Sequence, residues 1–353
     1  MTLEALGYTT ELENYRQEQR LDNFTIGRVI AEHRERYIVK TEAGEYDSEL
    51  IGNLRFTAES RRDFPAVGDW VAVSAYDDDK ALIHRIFPRK SILERQAAGR
   101  SGQLQIIAAN IDFALIVQAV DRDFNINRLE RYLTICHTAK VEPLIVLSKT
   151  DLISDEVLAA LTRQISERVI ATPVITVNNQ DPDGYAALAE AVKPGKTYCL
   201  LGSSGVGKST LTNTLSGQEQ MKTGAISESV KKGKHVTSHR ELIVLKNGGL
   251  LIDNPGMREV GIADTGTGLE TTFDTILALA ETCKYKDCSH TSETGCAILN
   301  ALDNGEIDEA AYGNYQKMQR EKKHFESTVQ ERRRKDRSFG KLIKTHLKIK
   351  GRK

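Results

Sequence analysis

The chain has 353 residues, room for two to three domains, and its 40% hydrophobic and 28% charged residues fit a soluble globular protein. Lys+Arg and Asp+Glu balance at 49 each, no run of roughly 18 apolar residues offers a membrane-spanning helix, and Met1-Thr2-Leu3-Glu4-Ala5 lacks the basic start and apolar core of a secretory signal. The expectation is a cytoplasmic protein, in which five cysteines point to a metal site or free thiols before disulfides.

Residues 1–20 are polar and helical in character, with Leu3, Leu6, Tyr8 and Leu12 as apolar anchors. Short alternating runs follow at 24–30, 36–41, 68–74 and 81–87, broken by Gly and Asp/Asn clusters. That rhythm predicts a small β-barrel over 21–97. An OB-like barrel suits the length, although periodicity does not separate it from an SH3-like one. Such barrels bind oligonucleotides, or serve as protein contacts or spacers. From Ile111 apolar strand-length runs at 112–120, 141–147, 173–177 and 197–201 alternate with helical spacings at 127–139, 155–168 and 184–192. This alternation predicts a doubly wound, mostly parallel sheet within 98–268, with ligands at the carboxyl ends of its strands. Residues 269–353 are helical in pattern, with a cysteine-rich interruption at 283–296. From Gln316 onward fifteen Lys and Arg face four Asp and Glu, so a basic tail balances an acidic body. The tail reads as a polyanion contact, or more blandly as a solvated helix.

Two motifs stand in inverted order. Gly202-Ser203-Ser204-Gly205-Val206-Gly207-Lys208-Ser209 is a full phosphate-loop pattern between a predicted strand and a predicted helix. Its glycines let backbone N–H groups wrap a β-phosphate, and the helix that carries Ser209 and Thr210 offers its positive end to the anion. Lys208 supplies charge to the β/γ-phosphates and the Ser209 hydroxyl ligates Mg²⁺. The second motif, Ser148-Lys149-Thr150-Asp151, precedes it at a strand end. The Asp151 carboxylate can accept from guanine N1–H and N2, a pair that adenine cannot offer, and the Lys149 stem can lie along the base. Ser148 stands where Asn is usual. The loop after the next strand holds Asn178-Asn179, and Asn178 is the candidate backbone donor to guanine O6. An ordinary GTPase has the phosphate loop first, so the order predicts a circularly permuted GTPase domain binding GTP and GDP.

Asp253-Asn254-Pro255-Gly256 follows an apolar strand, which places Asp253 and Gly256 at the position that senses γ-phosphate and Mg²⁺. The next residue is Met257 in place of the glutamine that orients water in many GTPases. The polar stretch 222–240 contains Thr237, a candidate Mg²⁺ ligand, and His235, which either positions the attacking water or contacts RNA phosphate beside Lys231, Lys232 and Lys234. Cys283, Cys288, His290 and Cys296 have the spacing C-x4-C-x-H-x5-C, a complete tetrahedral Zn²⁺ shell with no open position and therefore a structural site, the alternative being thiols with no metal. Cys136 and Cys199 lie in apolar segments and read as core.

The order of these stretches, SKTD, GSSGVGKST, GKHVTS, DNPGMRE and then the Cys/His cluster, resembles the RsgA (YjeQ-type) circularly permuted GTPases over most of the chain. The resemblance implies an OB-fold, a permuted G domain and a zinc subdomain. It also implies a monomer that binds the small ribosomal subunit and its rRNA late in maturation, with GTP hydrolysis stimulated by the subunit. The family's switch histidine falls on His235, which favours its catalytic role. The chain departs from the family's pattern at Ser148, at Asn178-Asn179, and at Val236 and Asn254, where Thr is usual. A competing reading is an RNA-binding scaffold or checkpoint with incidental hydrolysis, and a weaker one is an ATP-using enzyme.

Overall fold

In the computed structural model five strands close into a barrel: β1 (Thr25–His33), β2 (Arg36–Thr41), β3 (Glu45–Leu50), β4 (Trp70–Asp77) and β5 (Lys80–Ile86). The structure describes residues 1–33, 36–96, 104–121, 124–169, 171–181, 183–217, 240–253 and 267–323. Around the barrel β1 pairs with β2, β2 with β3, β3 with β5, β5 with β4, and β4 again with β1. Only β3–β5 is parallel. This closed Greek-key order is that of an OB barrel, which resolves the alternative left by periodicity. Inward residues of alternating strands, Val29, Val39, Val71, Val73 and Ile83, fill it. Strand β3 was not anticipated. Its Glu45, Asp47 and Glu49 point to solvent and pair with Lys40 and Arg36, leaving Tyr46 and Leu50 as its apolar members. Strands β6 (Ile92–Gln96) and β7 (Leu104–Ala109) form a separate two-stranded ribbon, also unanticipated.

The N-terminal segment packs on the barrel. Leu6 is fully buried, Tyr8 meets the Trp70 ring edge-on at 4.9 Å, and Tyr15, on the helix Thr10–Glu18, lies 5.0 Å from Phe87.

The second sheet contains β8 (Phe113–Ala119), β9 (Glu142–Ser148), β10 (Val174–Thr176), β11 (Thr197–Leu201), β12 (Glu241–Val244) and β13 (Leu250–Asp253). Its order is β10-β9-β8-β11-β13-β12, parallel throughout except for β12. Strands buried on both faces read as continuous apolar runs, and every residue of β11 is buried. Strand β11, which leads into the phosphate loop, is fourth of these six in sequence yet lies beside the first, β8. The inverted motif order is thus a real permutation of the sheet. At the far edge β12 pairs with barrel strand β1 at Ala31↔Glu241, which makes one eleven-stranded sheet.

The chain divides into two compact units, Met1–Glu94 with Ile106–Val260, and Arg95–Gln105 with Gly261–Lys353. In the second, helices Gly268–Thr272, Asp274–Glu281, Ala297–Asp303 and 309–323 bury Leu269, Phe273, Ile276, Ile298 and Met318. Among the described residues no helix is long and apolar enough to cross a membrane.

Candidate functional site

The phosphate loop leaves β11 through two glycines whose conformations exclude side chains. Gly202 has φ 149°, and a Cβ there would lie 2.4 Å from the Val117 carbonyl oxygen of β8. Gly207, with φ 96°, caps the helix Lys208–Ser216. Ser203, Ser204, Gly205 and Val206 lie between them, and Ser209 and Thr210 are in the first turn of the helix. The loop is therefore a backbone cradle at a helix N-terminus, a geometry suited to phosphate. Lys208 Nζ donates to the carbonyls of Gly202 at 2.7 Å and Ser203 at 2.5 Å. Burial pulls this ammonium down to about 8, opposed by the carboxylate of Asp253. Asp253 is itself buried at the end of β13, beside β11.

The base-reading motif ends β9, two strands away from β11. Ser148 Oγ donates to the Val206 carbonyl of the phosphate loop at 2.6 Å. The shorter side chain thus still ties the two loops together, through a hydroxyl where the usual residue uses an amide. Lys149 takes a left-handed conformation, φ 60°, and its Nζ pairs with Asp121 at 2.9 Å. Asp151 lies in the turn Thr150–Leu152, and its Oδ1 accepts from the Asn179 backbone N–H at 3.3 Å. Asn178 is spent on its own loop: its N–H donates to Gly184 O at 3.2 Å and its Oδ1 accepts from Gln180 N at 2.8 Å. The Tyr185 hydroxyl donates to Asn179 Oδ1. The structure therefore brings together the phosphate loop, Ser148, Lys149, Asp151, the 178–179 loop and Asp253. His235, Thr237, Val236, Asn254, Gly256 and Met257 lie outside the described residues, as does the tail beyond Lys323.

Several participants carried no motif. Asp121 was legible only as an acid just past a buried strand. Tyr185 gave no sequence signal. Arg128 is on the helix Ile126–Ala139, and its Nη1 donates to Ser203 Oγ at 2.8 Å. A cation in the first turn after a parallel strand was the one available clue.

In the C-terminal unit Cys283, Cys288, His290 and Cys296 bring their ligand atoms within 4.8 Å of one another. Cys283 Sγ lies 3.9 Å from Cys296 Sγ and 3.5 Å from His290 Nδ1, which is 3.4 Å from Cys296 Sγ. A tetrahedral ion with Zn–S of about 2.3 Å and Zn–N of about 2.0 Å needs edges of about 3.5–3.8 Å, which the three edges among Cys283, His290 and Cys296 match, and the donor set suits such an ion. The Ala297 N–H points at Cys283 Sγ at 3.4 Å, an outer-shell donor to a thiolate. Cys136 and Cys199 are fully buried elsewhere.

A family profile described as RsgA GTPase matches residues 86–263. The chain is 42% identical over 360 residues to the small ribosomal subunit biogenesis GTPase RsgA 2 of Listeria monocytogenes serotype 4b, covering 100% of both chains. Its fold is similar to the crystal structure of YloQ, a circularly permuted GTPase, with TM-score 0.61 and 26% identity over 85% of this chain and 96% of that one. It is similar also to YjeQ from Thermotoga maritima, with TM-score 0.60 and 24% identity over 83% and 96%. With a permuted sheet, a phosphate loop tied to the Ser148–Asp151 turn and a Cys₃His cluster, the chain belongs to the RsgA GTPase family.

Proposed function

We propose that this protein is a cytoplasmic, monomeric GTPase that binds the small ribosomal subunit late in its maturation and hydrolyses GTP to GDP and phosphate under the subunit's stimulation. The observation that carries the nucleotide reading is the Ser148–Val206 bond, which couples a guanine-selective turn to a phosphate cradle. The subunit enters through the relatives, which are small ribosomal subunit biogenesis GTPases in Listeria monocytogenes and Opitutus terrae.

In this reading the backbone of 203–208 wraps the phosphates and Lys208 moves from its carbonyl partners to the β/γ-oxygens. Asp151 reads guanine N1–H and N2, and Asn178 would donate to O6 only after its N–H leaves Gly184 O. Mg²⁺ would be held by Ser209 and Thr237, with Asp253 beside it, and would neutralise phosphate charge. His235 positions the attacking water, since Met257 stands where glutamine is usual. Cys283, Cys288, His290 and Cys296 would hold one structural Zn²⁺. The OB barrel and the basic tail supply the rRNA contact.

The test is GTP turnover by the purified protein with and without small subunits, at several salt concentrations. The reading expects strong stimulation by subunits that weakens as salt rises. Unchanged turnover overturns the gating. If Lys208→Ala then supports normal maturation, the scaffold reading replaces it.

A further inference from the structure

We propose that Arg128 is a positioning residue of the GTPase reaction: a fixed cation behind the phosphate loop that favours the triphosphate over the diphosphate. The proposal rests on the phosphate-loop assignment above.

The sequence builds a rigid mount for this side chain. Gln118, buried in β8, donates through Nε2 to the Asn125 carbonyl at 2.9 Å and accepts the Asn125 N–H on Oε1 at 3.0 Å. That pair of hydrogen bonds fixes the chain where it enters the helix Ile126–Ala139. Asn125 Oδ1 then accepts the Arg128 backbone N–H at 3.1 Å, capping the helix. Arg128 thus starts from a backbone held at both ends, in the first turn, facing the loop. Its Nη1 donates to Ser203 Oγ at 2.8 Å. One turn later Tyr132 is buried with its hydroxyl interacting with the same serine.

Ser203 is also where Lys208 rests, because its carbonyl accepts from Lys208 Nζ at 2.5 Å. Two cations therefore converge on one loop residue, one on its side chain and one on its backbone. They differ in chemistry. The guanidinium is a planar fork of donors held on a serine hydroxyl. Lys208 is drawn down to about 8 by burial. Lys208 is the mobile charge that meets phosphate oxygens, and Arg128 is the fixed one that holds the loop and its potential. A fixed charge acts in proportion to the ligand's own charge. GTP carries one more negative charge than GDP, and hydrolysis develops charge on the transferring phosphoryl group. The contribution of Arg128 should be larger for GTP than for GDP, and should appear in kcat.

The experiment uses the full-length protein and its Arg128→Gln, Arg128→Lys, Ser203→Ala and Lys208→Ala variants. GTP and GDP affinities come from fluorescent analogues, kcat from phosphate release, and folding from thermal melts. Arg128→Gln should weaken GTP about tenfold and GDP less than about threefold, with a lower kcat. Arg128→Lys should keep most of the GTP preference, since the charge remains. In the Ser203→Ala background the effect of Arg128→Gln should shrink, which measures the coupling through that bond. Equal loss for GTP and GDP, or a change in melting alone, overturns the proposal. If Arg128→Gln fails to fold, the GTP/GDP ratios of Arg128→Lys and Ser203→Ala decide: unchanged ratios in Ser203→Ala overturn it. Lys208→Ala separates the two assignments. Unaltered nucleotide affinity there sinks the phosphate loop itself, whereas a defective Lys208→Ala beside a normal Arg128→Gln sinks only the role of Arg128.

Discussion

Asp151, proposed above to choose the base, follows the end of β9 with its Oδ1 on the Asn179 N–H. A carboxylate accepts from both N1–H and N2 of guanine, and an amide can satisfy only one of them with its oxygen. Asp151→Asn should therefore weaken GTP by about 30- to 150-fold, from about 2–3 kcal/mol of unmade bonds, and should bind xanthosine triphosphate better than the parent does. Competition binding with the two nucleotides checks it, and equal GTP affinity would remove Asp151 from the site. Lys208 sets a pH dependence. Burial depresses its free-protein value to about 8, while phosphate would favour the charged form. Above about 8, binding must take up a proton, so GDP affinity should fall with pH there and be flat below, by up to about tenfold per unit. Proton uptake measured by calorimetry in two buffers tests the sign. Ser148 marks what residue-level reading could not decide: serine is shorter than the usual asparagine and lacks its amide donor, and only the 2.6 Å approach of Val206 O shows the link to the phosphate loop made.

At the scale of elements, continuous apolar runs were enough to locate the parallel strands, because both faces of β8, β9 and β11 are buried. The polar strand β3 was invisible for the opposite reason, since its outward carboxylates are held by ion pairs to Arg36 and Lys40. Period-2 patterning fails when one face is charged and the other holds a serine, as Ser48 does here. The Cys/His element was legible from spacing alone. Its consequence is mechanical: the helix Ala297–Asp303 starts at Cys296, so an ion held by the cluster would close the end of a helical core that is otherwise small. Removing zinc with a strong chelator should unfold the helices around 269–323, seen as lost ellipticity and rapid proteolysis there. GDP affinity should stay within about twofold, because the nucleotide residues belong to the other compact unit. Helices that persist without metal would make the cluster a set of unliganded thiols.

At the scale of the molecule, Arg28 shows how the first unit is held together. Fully buried, it donates to the carbonyls of Leu6 at 2.5 Å, Gly68 at 3.1 Å and Asn110 at 3.1 Å, and lies 5.5 Å from the Trp70 ring. One side chain thus joins the N-terminal segment, the barrel and the entry to the nucleotide sheet. Burial lowers its guanidinium to about 10, still charged at neutral pH. Arg28→Met keeps the volume but strands three carbonyls, and should cost about 3 kcal/mol of stability in urea unfolding. A loss under about 1 kcal/mol would show that water replaces the guanidinium.

Local chemistry was enough to pick out the phosphate-loop pattern, the Ser148–Asp151 turn, the Cys₃His cluster and the permuted order, because each depends on residue types at short spacings. Sequence could not decide between the OB and SH3-like barrels, could not show the join of β1 to β12, and could not bring Arg128 to Ser203 across 75 positions. Those depend on which strands pair and which helix faces which loop, contacts between segments far apart in the chain whose register no local pattern records.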